Sequence, residues 1–520
     1  MFRKIPERAA VIYIGSKAIY LNIAEYSKKD DIKVLESLNY PLNLGQDTFT
    51  RNKISFNKVN KTCKILKRFK KLIREYNLIK IKTVATTAIK EARNRLYILD
   101  QIKIKTGLDV EVIDDSVEKS YIYQGILRKI KNDKQLINEK ALLSYIGTGN
   151  LGVSLYQNGN IVSSQNIKVG SLKLNEKLKG IQKKTDKFSI TVREYLSSFT
   201  HMLETFLADK EIDNFITLGK EIEMIANLCQ ADLEDGFYKI SRNKFDDLYD
   251  QIKDKTPQQL MNMFDLQREE ADILLPSMTL YAMIWNLTST DRIIAPNLFL
   301  GDILLYQMLF PKEAIAMKEE FKKSTIYSAR SLGRDYKYNE DHAQIVTKFS
   351  LEIYDSIKEV HGLGDRERLL LHVASILHDV GKYMSLKNHY YHSYNIIMAS
   401  NIVGLSQEEL EVIANVARYH SRKMPGDDIN YQKLPQRDRV LIAKLASILR
   451  IADAIDKAHA SKFDEIKVEL EEDKLLITLF TNKITYLEEL IFDQKSDLFR
   501  EVYAMDTKFK KRRVDANGFR

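Results

Sequence analysis

The stretch RAAVIYIGSKAIYLNIA (residues 8–24) decides the fold of the N-terminal part of the chain. Two apolar runs flank a glycine, which predicts a β-strand, a tight turn at Gly15 and a second strand. The stretch ALLSYIGTGNLGVSLYQ (141–157) repeats this order of strand, glycine turn and strand. No short sequence repeat accompanies it, so the recurrence indicates two related α/β lobes.

Strands and helices alternate outward from both openings. After the first opening we expect a third strand from about Ile32 and a basic helix over 57–76. A short strand (83–88), a helix (89–107), a strand (110–114) and a helix (116–130) should follow. After the second opening we expect a third strand, a helical stretch (185–209), a strand (214–220) and then only helices as far as residue 310. The domains predicted from this order are 1–136 and 137–310 for the two lobes, 311–460 for a helical domain, and 461–520 for a small α+β C-terminal region with a basic tail. That last region contains an antiparallel hairpin predicted to turn at Glu472–Asp473.

Composition bounds the class of protein. The 520 residues are 44% hydrophobic and 29% charged, as expected of a soluble globular chain with sizeable cores. Cys63 and Cys229 are the only cysteines, which excludes a disulfide framework and fits a reducing compartment. The N-terminus lacks a secretory signal, and no run of about 18 apolar residues is present. We therefore expect a cytoplasmic protein that does not span a membrane.

The net charge is +10, and basic residues concentrate in 61–82 and in the tail 508–513. A basic surface suits a polyanion. The alternative is that these are solvated helix faces, which we favour because no nucleic-acid-binding motif accompanies the charge. Nucleic acid is therefore not an expected partner.

A His-Asp pair, His378-Asp379, lies inside the apolar segment LLLHVASILHDVGKY (369–383). His342 precedes it and Asp453 follows it, each in a segment predicted to be helical. Two imidazoles and two carboxylates can close around one divalent metal ion. Mg²⁺ or Mn²⁺ is the expected metal, with Fe as an alternative. Such an ion lowers the pKa of bound water and stabilises a phosphoryl oxygen, so Asp379 is also a catalytic candidate. The alternative is four unrelated polar residues on helix faces.

Further histidines and lysines follow the His-Asp pair. His392 and His420 are candidate ligands of a second metal ion, with His389 as a weaker candidate, and the alternative is that they are exposed loop residues. Lys382 is a candidate phosphate contact, and Arg422 and Lys423 could serve likewise. The remaining histidines of this region are interpreted as packing or surface residues: His361, His372 and His459.

Several separated segments resemble the Ppx/GppA family of exopolyphosphatases and guanosine pentaphosphate phosphohydrolases. They are PLNLG (41–45), VATTAIKEARN (84–94), EVIDDSVEKSYIYQGI (111–126), IGTGNLGVSL (146–155), ARYHSRKMP (417–425) and LRIADAIDKAH (449–459). The resemblance implies a two-lobed actin-like (ribonuclease H-like) α/β fold, followed by an all-α HD domain and a small α+β piece. It also implies a phosphohydrolase acting on a phosphorylated small molecule or polyphosphate, and a homodimer.

The chain departs from this family in the predicted phosphate loops. Tyr13 and Tyr145 stand where the family has the aspartates that hold magnesium, and Gly152 stands where it has a glutamate. The third loop has become Gly-Lys-Glu-Ile-Glu (219–223), whose acidic side chains would repel a phosphate chain.

Other positions of the family site are retained. Glu118 falls on the catalytic glutamate, and Lys90 replaces an arginine that contacts phosphate. The loop residues that could still let backbone N–H groups approach an anion are Gly15, Ser16, Gly147 and Gly149. The alternative for Glu118 is a solvated helix glutamate.

Three hypotheses follow. The first is hydrolysis of a phosphate ester or anhydride at the His/Asp metal site, with the lobe site degenerate. The second is an exopolyphosphatase or guanosine pentaphosphate phosphohydrolase that acts at the lobe cleft and depends on Glu118. The third is a non-catalytic sensor that binds polyphosphate or an alarmone.

Overall fold

The structure is a computed structural model. It describes residues 7–28, 31–78, 80–131, 133, 136, 139–182, 185, 187–208, 211–219, 221–421, 428–463, 465–471 and 474–513. The chain divides into two compact units, residues 1–324 and 325–520, which we call the α/β unit and the helical unit.

The first sheet of the α/β unit confirms the predicted strand-turn-strand opening. Its strands are β1 (Glu7–Ile14), β2 (Ala18–Lys28), β3 (Asp31–Pro41), β4 (Lys80–Ala85) and β5 (Glu111–Val112). They lie in the order β3-β2-β1-β4-β5, with β1 antiparallel to β2 and parallel to β4. The backbone N–H of Gly15 donates to the carbonyl of Ala18 at 3.0 Å and closes the turn between β1 and β2.

The second sheet repeats this arrangement. Its strands are β6 (Ala141–Ile146), β7 (Leu151–Gln157), β8 (Asn160–Ile167), β9 (Asn214–Gly219), β10 (Asp232–Glu234), β11 (Phe237–Ser241) and β12 (Arg292–Pro296). The order β10-β11-β12-β9-β6-β7-β8 contains the same pattern, since β6 is antiparallel to β7 and parallel to β9. The recurrence in the sequence therefore corresponds to two sheets with equivalent central strands.

The expectation of only helices over 221–310 is wrong, because β10, β11 and β12 lie in that range. Asp235 and Gly236 connect β10 to β11 with φ angles of 51° and 79°. Two successive positive φ angles form the two-residue hairpin turn that Asp-Gly favours, so this dipeptide is a local signal for the hairpin. β12 is a short buried apolar run, which sequence periodicity cannot distinguish from a piece of helix.

Helices cover both sheets of the α/β unit. They are α1 (Leu44–Arg51), α2 (Phe56–Glu75), α3 (Thr87–Lys90), α4 (Arg95–Thr106), α5 (Asp115–Lys131), α6 (Ser171–Gln182), α7 (Phe188–Leu207), α8 (Ile222–Leu228), α9 (Arg242–Ile252), α10 (Pro257–Phe264), α11 (Arg268–Trp285), α12 (Leu300–Leu309) and α13 (Pro311–Asp335), the last of which continues into the helical unit.

The helix predicted over 89–107 is two helices, α3 and α4. The side chain of Asn94 bonds both the N–H and the carbonyl of Ile54, at 3.1 and 2.9 Å, and the N–H of Arg93 bonds the carbonyl of Asn52. These tertiary bonds hold the break between the two helices.

The helical unit continues with α14 (Glu340–Ser356), α15 (Lys358–His361), α16 (Asp365–Leu377), α17 (His389–Ala399), α18 (Gln407–Arg418), α19 (Ile429–Gln432), α20 (Gln436–Ile455), α21 (Tyr486–Lys495) and α22 (Asp497–Tyr503). A 3₁₀ turn (Val380–Tyr383) follows α16. One core of buried apolar side chains joins α14, α16, α18 and α20, and includes Phe349, Leu371, Ile413 and Ile448. This core fixes the ends of the helices that carry the candidate ligands.

A three-stranded sheet completes the helical unit: β13 (Glu465–Glu471), β14 (Lys474–Phe480) and β15 (Asp506–Arg512). β13 and β14 pair antiparallel, which confirms the predicted hairpin, and its predicted turn residues Glu472 and Asp473 lie outside the described residues. β15 pairs parallel with β14. The basic tail is thus largely a strand, with Thr507 buried and the lysines on the other face exposed.

The other basic cluster lies mainly on α2, whose apolar side chains are buried and whose lysines are mostly exposed. Among the described residues, no helix is long and apolar enough to cross a membrane.

Candidate functional site

Four predicted ligands, His342, His378, Asp379 and Asp453, come together in the helical unit, with one ligand atom of each within 4.8 Å of the others. The Nε2 atoms of the two histidines are 3.3 Å apart. Asp453 Oδ1 lies 3.4 Å from Nε2 of His342 and 3.6 Å from Nε2 of His378. Asp379 Oδ2 lies 3.7 and 3.5 Å from the same two atoms.

The elements that hold these side chains explain the convergence. His342 lies in the first turn of α14, where Asn339 caps the helix by accepting from the His342 N–H at 3.1 Å. His378 and Asp379 lie at the end of α16, where the helix passes into the 3₁₀ turn. Asp453 lies in the last turn of α20. Residues far apart in sequence meet because the shared core fixes these helix ends.

The proton positions at the histidines follow from their hydrogen bonds. Nδ1 of His378 donates to the carbonyl of Ser375 at 2.8 Å, three residues earlier. His389 makes the same type of bond to Leu386, and His420 makes it to Ala417. Because a proton on Nδ1 leaves Nε2 with a lone pair, each Nε2 is prepared to act as a ligand.

A second group consists of Asp379, His389 and His420. Asp379 Oδ1 lies 3.3 Å from Nε2 of His389 and 3.6 Å from Nε2 of His420, and those two nitrogens are 3.3 Å apart. Asp379 therefore belongs to both groups, one through each oxygen. His392 belongs to neither group among the described residues. His389, the weaker candidate from sequence, is the one that lies in the second group.

Asp379 is a buried carboxylate whose two oxygens both lack a hydrogen-bond donor. Neither of its oxygens accepts a well-directed hydrogen bond, although the Nζ atom of Lys382 is in ion-pair contact with Oδ2. A buried carboxylate normally has hydrogen-bond partners or a metal ion. Lys382 also lies 3.4 Å from Nε2 of His459, so it stands at the edge of the first group.

Three residues of this site were not found from sequence. Asp456 accepts from Nδ1 of His342 at 2.8 Å and orients Nε2 toward the group. The Nζ atom of Lys495 contacts Oδ2 of Asp453, and both side chains are buried. The ring of His459 stacks on that of His342, with ring centroids 3.7 Å apart. Asp456 and His459 follow Asp453 closely in the sequence, whereas nothing marks Lys495.

The charges of the site depend on one another. Burial alone would lower the pKa of His342, but its hydrogen bonds to Asp453 and Asp456 outweigh burial and raise the pKa to about 9, so a metal ion at Nε2 would have to displace a proton from this imidazole. Burial would raise the pKa of Asp379, but the neighbouring His378 and His420 hold it below its usual range. Burial lowers the pKa of His389 and of His420, which keeps both imidazoles neutral at pH 7.

This donor set fits a hard or borderline divalent ion. Imidazole nitrogen and carboxylate oxygen are ligands of Mn, Fe and Zn, and carboxylate oxygen is a ligand of Mg. Ligands about 2.1 Å from one ion lie roughly 3 Å apart at right angles, close to the 3.3–3.7 Å separations of the first group. The oxygens of Asp379 accept no hydrogen bond, and although Lys382 contacts Oδ2, they are the feature that an ion would satisfy.

A cavity of about 930 Å³ lies in the α/β unit, walled by parts of both sheets and by the start of α5, α11 and α12. Tyr13, Glu118 and Tyr145 are on its wall. Glu118 accepts from the Tyr145 hydroxyl at 2.7 Å. Burial, with Glu118 beside it, raises the pKa of Tyr145 well above its usual value, so the phenol stays protonated.

The space beside Gly152 is taken. A β-carbon at this position would lie 2.7 Å from Cδ of Lys119 and 3.1 Å from the hydroxyl of Tyr123. A glutamate there would therefore require both neighbours to move.

The predicted phosphate contacts of the α/β unit lie away from the wall of this cavity. The loop residues Gly15, Ser16, Gly147 and Gly149 are buried and are not among its lining residues. The hydroxyl of Thr148 donates to that of Ser16 at 3.0 Å, which ties the first two loops together. Lys90 lies 4.0 Å from Asp115. Lys220 of the third loop lies outside the described residues, as do Arg422 and Lys423, the candidate phosphate contacts of the helical unit.

Comparisons with known proteins cover both units. A sequence model of the Ppx/GppA phosphatase family matches residues 23–309, and one of Ppx/GppA phosphatase domain III matches residues 326–501. The guanosine-5'-triphosphate,3'-diphosphate pyrophosphatase of Photobacterium profundum is 17% identical over 90% of this chain and 91% of its own. The bifunctional 3-dehydroquinate synthase/phosphatase of Fusobacterium nucleatum is 23% identical over 32% of this chain and 26% of its own.

Two solved structures show the fold of the α/β part. A Ppx/GppA protein from Aquifex aeolicus is 21% identical, with a TM-score of 0.50 over 59% of this chain and 99% of its own. An exopolyphosphatase from Cytophaga hutchinsonii is 20% identical, with a TM-score of 0.51 over 58% of this chain and 98% of its own. The chain thus shares the two-lobed actin-like arrangement of those proteins.

Proposed function

The chain belongs to the Ppx/GppA phosphatase family, and we propose that it hydrolyses a phosphate ester or phosphoanhydride at a divalent-metal centre in its helical unit. The observation that carries the proposal is the convergence of His342, His378, Asp379 and Asp453, together with the two oxygens of Asp379 that accept no hydrogen bond. The order of these ligands along helices resembles that of HD-type phosphohydrolases. Mg²⁺ or Mn²⁺ is the proposed metal, with Fe as an alternative.

A bound divalent ion lowers the pKa of a coordinated water and stabilises charge on a phosphoryl oxygen. The protein's part is to keep the ligand atoms in place. Nε2 of His378 is directed by the carbonyl of Ser375, and Nε2 of His342 is directed by Asp456. Each Nε2 atom thus points toward the group without a rearrangement of its helix, and His342 would release a proton when an ion binds.

Lys382 is the proposed phosphate contact. Its Nζ atom is in contact with Asp379, and its side chain is about one-third exposed, so it can reach a substrate oxygen from its present position. His459, which lies 3.4 Å from that Nζ atom, limits where the ammonium group can go. An ammonium group there would offset negative charge on the phosphoryl group.

A second ion is proposed between Asp379, His389 and His420. Asp379 would be shared, with one oxygen toward each group. Two metal ions about 3.5–4 Å apart can stabilise both the attacking and the leaving oxygen. His392, the ligand candidate chosen from sequence, is replaced by His389 in this proposal.

We propose that the cavity of the α/β unit is degenerate as a phosphatase site. The Tyr145 hydroxyl donates a hydrogen bond to Glu118, the space for a side chain at Gly152 is filled by neighbours, and acidic side chains line the cavity wall. The alternatives are an exopolyphosphatase or pentaphosphate phosphohydrolase that uses Glu118 in the cavity, and a sensor that binds a polyphosphate or alarmone without turnover. The retention of Glu118 on the wall favours the first alternative over the second.

The test is phosphate release by the full-length protein with Mg²⁺ or Mn²⁺. The substrates are long-chain polyphosphate, guanosine pentaphosphate, nucleoside mono- and triphosphates, and cyclic nucleotides. The proposal expects activity on at least one of them that is lost in His378→Ala/Asp379→Ala and kept in Glu118→Ala. Loss of activity only in Glu118→Ala would overturn it and assign the chemistry to the α/β unit.

The homodimer implied by the family resemblance remains a proposal. Light scattering of the purified full-length protein measures its molecular mass directly, and a monomer over the micromolar range would contradict it.

A further inference from the structure

We propose that the outer face of α2 and α4 in the α/β unit is a docking surface for an anionic phospholipid membrane, on which the protein lies without spanning it. This inference is independent of the proposed function, which concerns the helical unit. Two observations carry it. One is a stripe of cationic side chains along α2, and the other is a group of exposed apolar side chains on α4 and at the start of α2.

The cationic stripe follows from the helical period of α2. Apolar side chains such as Ile65, Leu66 and Phe69 are buried in the core that α2 shares with the first sheet, so the polar residues between them face outward. Six exposed cations occupy that outward face: Lys61, Lys64, Lys67, Arg68, Lys71 and Arg74. This face therefore presents a continuous row of positive charge to solvent.

Few carboxylates offset this charge. Residues 51–75 contain ten lysines and arginines against one acidic residue, Glu75. Among the described residues, Lys71 is the one member of the stripe with a carboxylate partner, Glu75 at 4.0 Å. Like charges three and four residues apart slightly destabilise a helix, so the stripe does not serve the stability of α2. It does raise the local concentration of an anionic partner.

α4 lies beside the stripe. Nζ of Lys70 donates to the carbonyl of Thr106 at 2.5 Å, and Nζ of Lys105 donates to Oδ1 of Asn60 at 3.0 Å. Asn60 lies one turn before Lys64 and thus on the same side of α2. The two helices are therefore neighbours, and the outer face of α4 continues that of α2.

The most exposed apolar side chains of this unit lie on the same two helices. Among the described residues of the α/β unit, four large apolar side chains are at least 70% exposed, and all four lie on α2 or α4: Phe56, Leu96, Tyr97 and Ile104. Tyr97 and Ile104 are two turns apart and share one side of α4. Single exposed apolar residues need no explanation, but a group on adjacent helices marks an interaction site.

The combination selects a lipid surface as the partner. Lysine and arginine near an anionic bilayer are attracted to its headgroups, and exposed apolar side chains penetrate the boundary with the acyl chains. A nucleic acid would also meet the charge, but it would use aromatic rings on which bases stack. Leu96 and Ile104 cannot stack in this way and would stay in water, whereas both can enter a bilayer.

Flotation of the full-length protein with lipid vesicles tests the inference. Vesicles of phosphatidylglycerol and phosphatidylcholine in equal parts are compared with vesicles of phosphatidylcholine alone, and we expect binding to the first and none to the second. Each lysine close to an anionic bilayer contributes about a fivefold factor, so Lys64→Gln/Lys67→Gln/Lys71→Gln should bind about 100-fold more weakly. All three side chains are exposed or nearly so, and the variant should fold normally.

A second variant tests the apolar side chains without changing the charge. Leu96→Ser/Ile104→Ser should lower the affinity for the anionic vesicles about tenfold, because part of the transfer free energy of two large aliphatic side chains is lost. Emission from Trp285, the single tryptophan, which is buried in this unit, checks that each variant is folded.

α13 offers the matched controls within the same unit. Residues 311–324 contain four lysines against three glutamates, so this helix has nearly balanced charge. Lys312→Gln/Lys318→Gln/Lys323→Gln removes three exposed lysines there, and Ile315→Ser removes an exposed apolar side chain. Both controls should bind the anionic vesicles like the wild type.

Weaker vesicle binding by both α2–α4 variants, with wild-type binding by both α13 controls, supports the inference. Absence of wild-type binding to the anionic vesicles overturns it, and so does an equal loss in the α2 and α13 lysine variants, which would indicate attraction by net charge alone. Unchanged binding by Leu96→Ser/Ile104→Ser overturns it too. A fluorescent single-stranded RNA is titrated in parallel, and RNA binding that needs the stripe while vesicles fail to bind would assign the surface to nucleic acid instead.

Discussion

Replacing Lys495 by methionine tests the metal centre through protein stability. Lys495 and Asp453 form a buried ion pair, and both side chains are less than one-tenth exposed. Removing one partner of such a pair typically costs about 3–5 kcal/mol, because the other charge stays buried without compensation. A domain of about 150–250 residues loses about 2–4 °C in Tm for each kcal/mol, so the helical unit of Lys495→Met should melt roughly 6–20 °C lower.

A bound metal ion changes that expectation. Asp453 Oδ1 points to the histidine nitrogens of the first group, so an ion there supplies positive charge next to the same carboxylate. The Tm difference between wild type and Lys495→Met should therefore be clearly smaller with Mn²⁺ than with a chelator. A protein without this metal site has no reason to show the difference.

Thermal unfolding followed by far-UV circular dichroism, with and without Mn²⁺, measures both quantities. Emission from Trp285 follows the α/β unit separately, since the single tryptophan is buried there. Lys462→Met is the matched control, because Lys462 pairs with the buried Glu488 at 2.8 Å elsewhere in the helical unit. This control should be destabilised to the same extent with and without Mn²⁺.

The reasoning would be refuted by a Tm loss in Lys495→Met that Mn²⁺ leaves unchanged. Equal rescue of Lys495→Met and Lys462→Met by Mn²⁺ would refute it as well, because the ion would then be acting on the whole unit rather than on Asp453.

Three further predictions concern the helical unit. Burial and two nearby arginines lower the pKa of His372 from 6.5 to about 4 in the folded protein. The unfolded chain therefore takes up a proton more readily, and the folded state loses stability as the pH falls from 6.5 to about 4. The loss is about 3 kcal/mol, and His372→Phe should remove it in urea unfolding curves measured across that range. Asp456→Asn should weaken Mn²⁺ binding about 10–100-fold in a calorimetric titration, because Asp456 orients His342; unchanged affinity would contradict the orienting role. Phe349→Ala should cost about 3–5 kcal/mol in urea unfolding, since the ring is fully buried among α14, α16 and α20, and a cost below about 1 kcal/mol would contradict the core described here.

The sequence was sufficient for features that have a local signature. Gly15 between two apolar runs predicted the β1–β2 turn, and the recurrence at 141–157 predicted a second sheet with equivalent strands. The Asp235-Gly236 turn had an equally local signature, but the surrounding helical pattern masked it. β12 could not be found in this way, because a short apolar strand lacks periodicity of its own.

The candidate site was predictable only in part, for a similar reason. His342, His378, Asp379 and Asp453 converge as expected. Lys495 could not be found, because its contact with Asp453 depends on how α21 packs against α20. His389 rather than His392 reaches Asp379, since α17 begins at His389 and its first turn faces the 3₁₀ turn. Which of two nearby histidines faces a ligand is set by helix phase, and spacing alone left it open.

Metal content measured on the purified full-length protein tests the central claim most directly. The protein is stripped with a chelator, incubated with Mn²⁺, dialysed and analysed by inductively coupled plasma mass spectrometry. The proposal predicts one equivalent of Mn²⁺, or two if the group at Asp379, His389 and His420 also fills, and predicts loss of the first-group ion in His342→Ala. Wild-type protein that retains no metal, or retains the same amount as His342→Ala, would contradict the proposed metal centre of the helical unit.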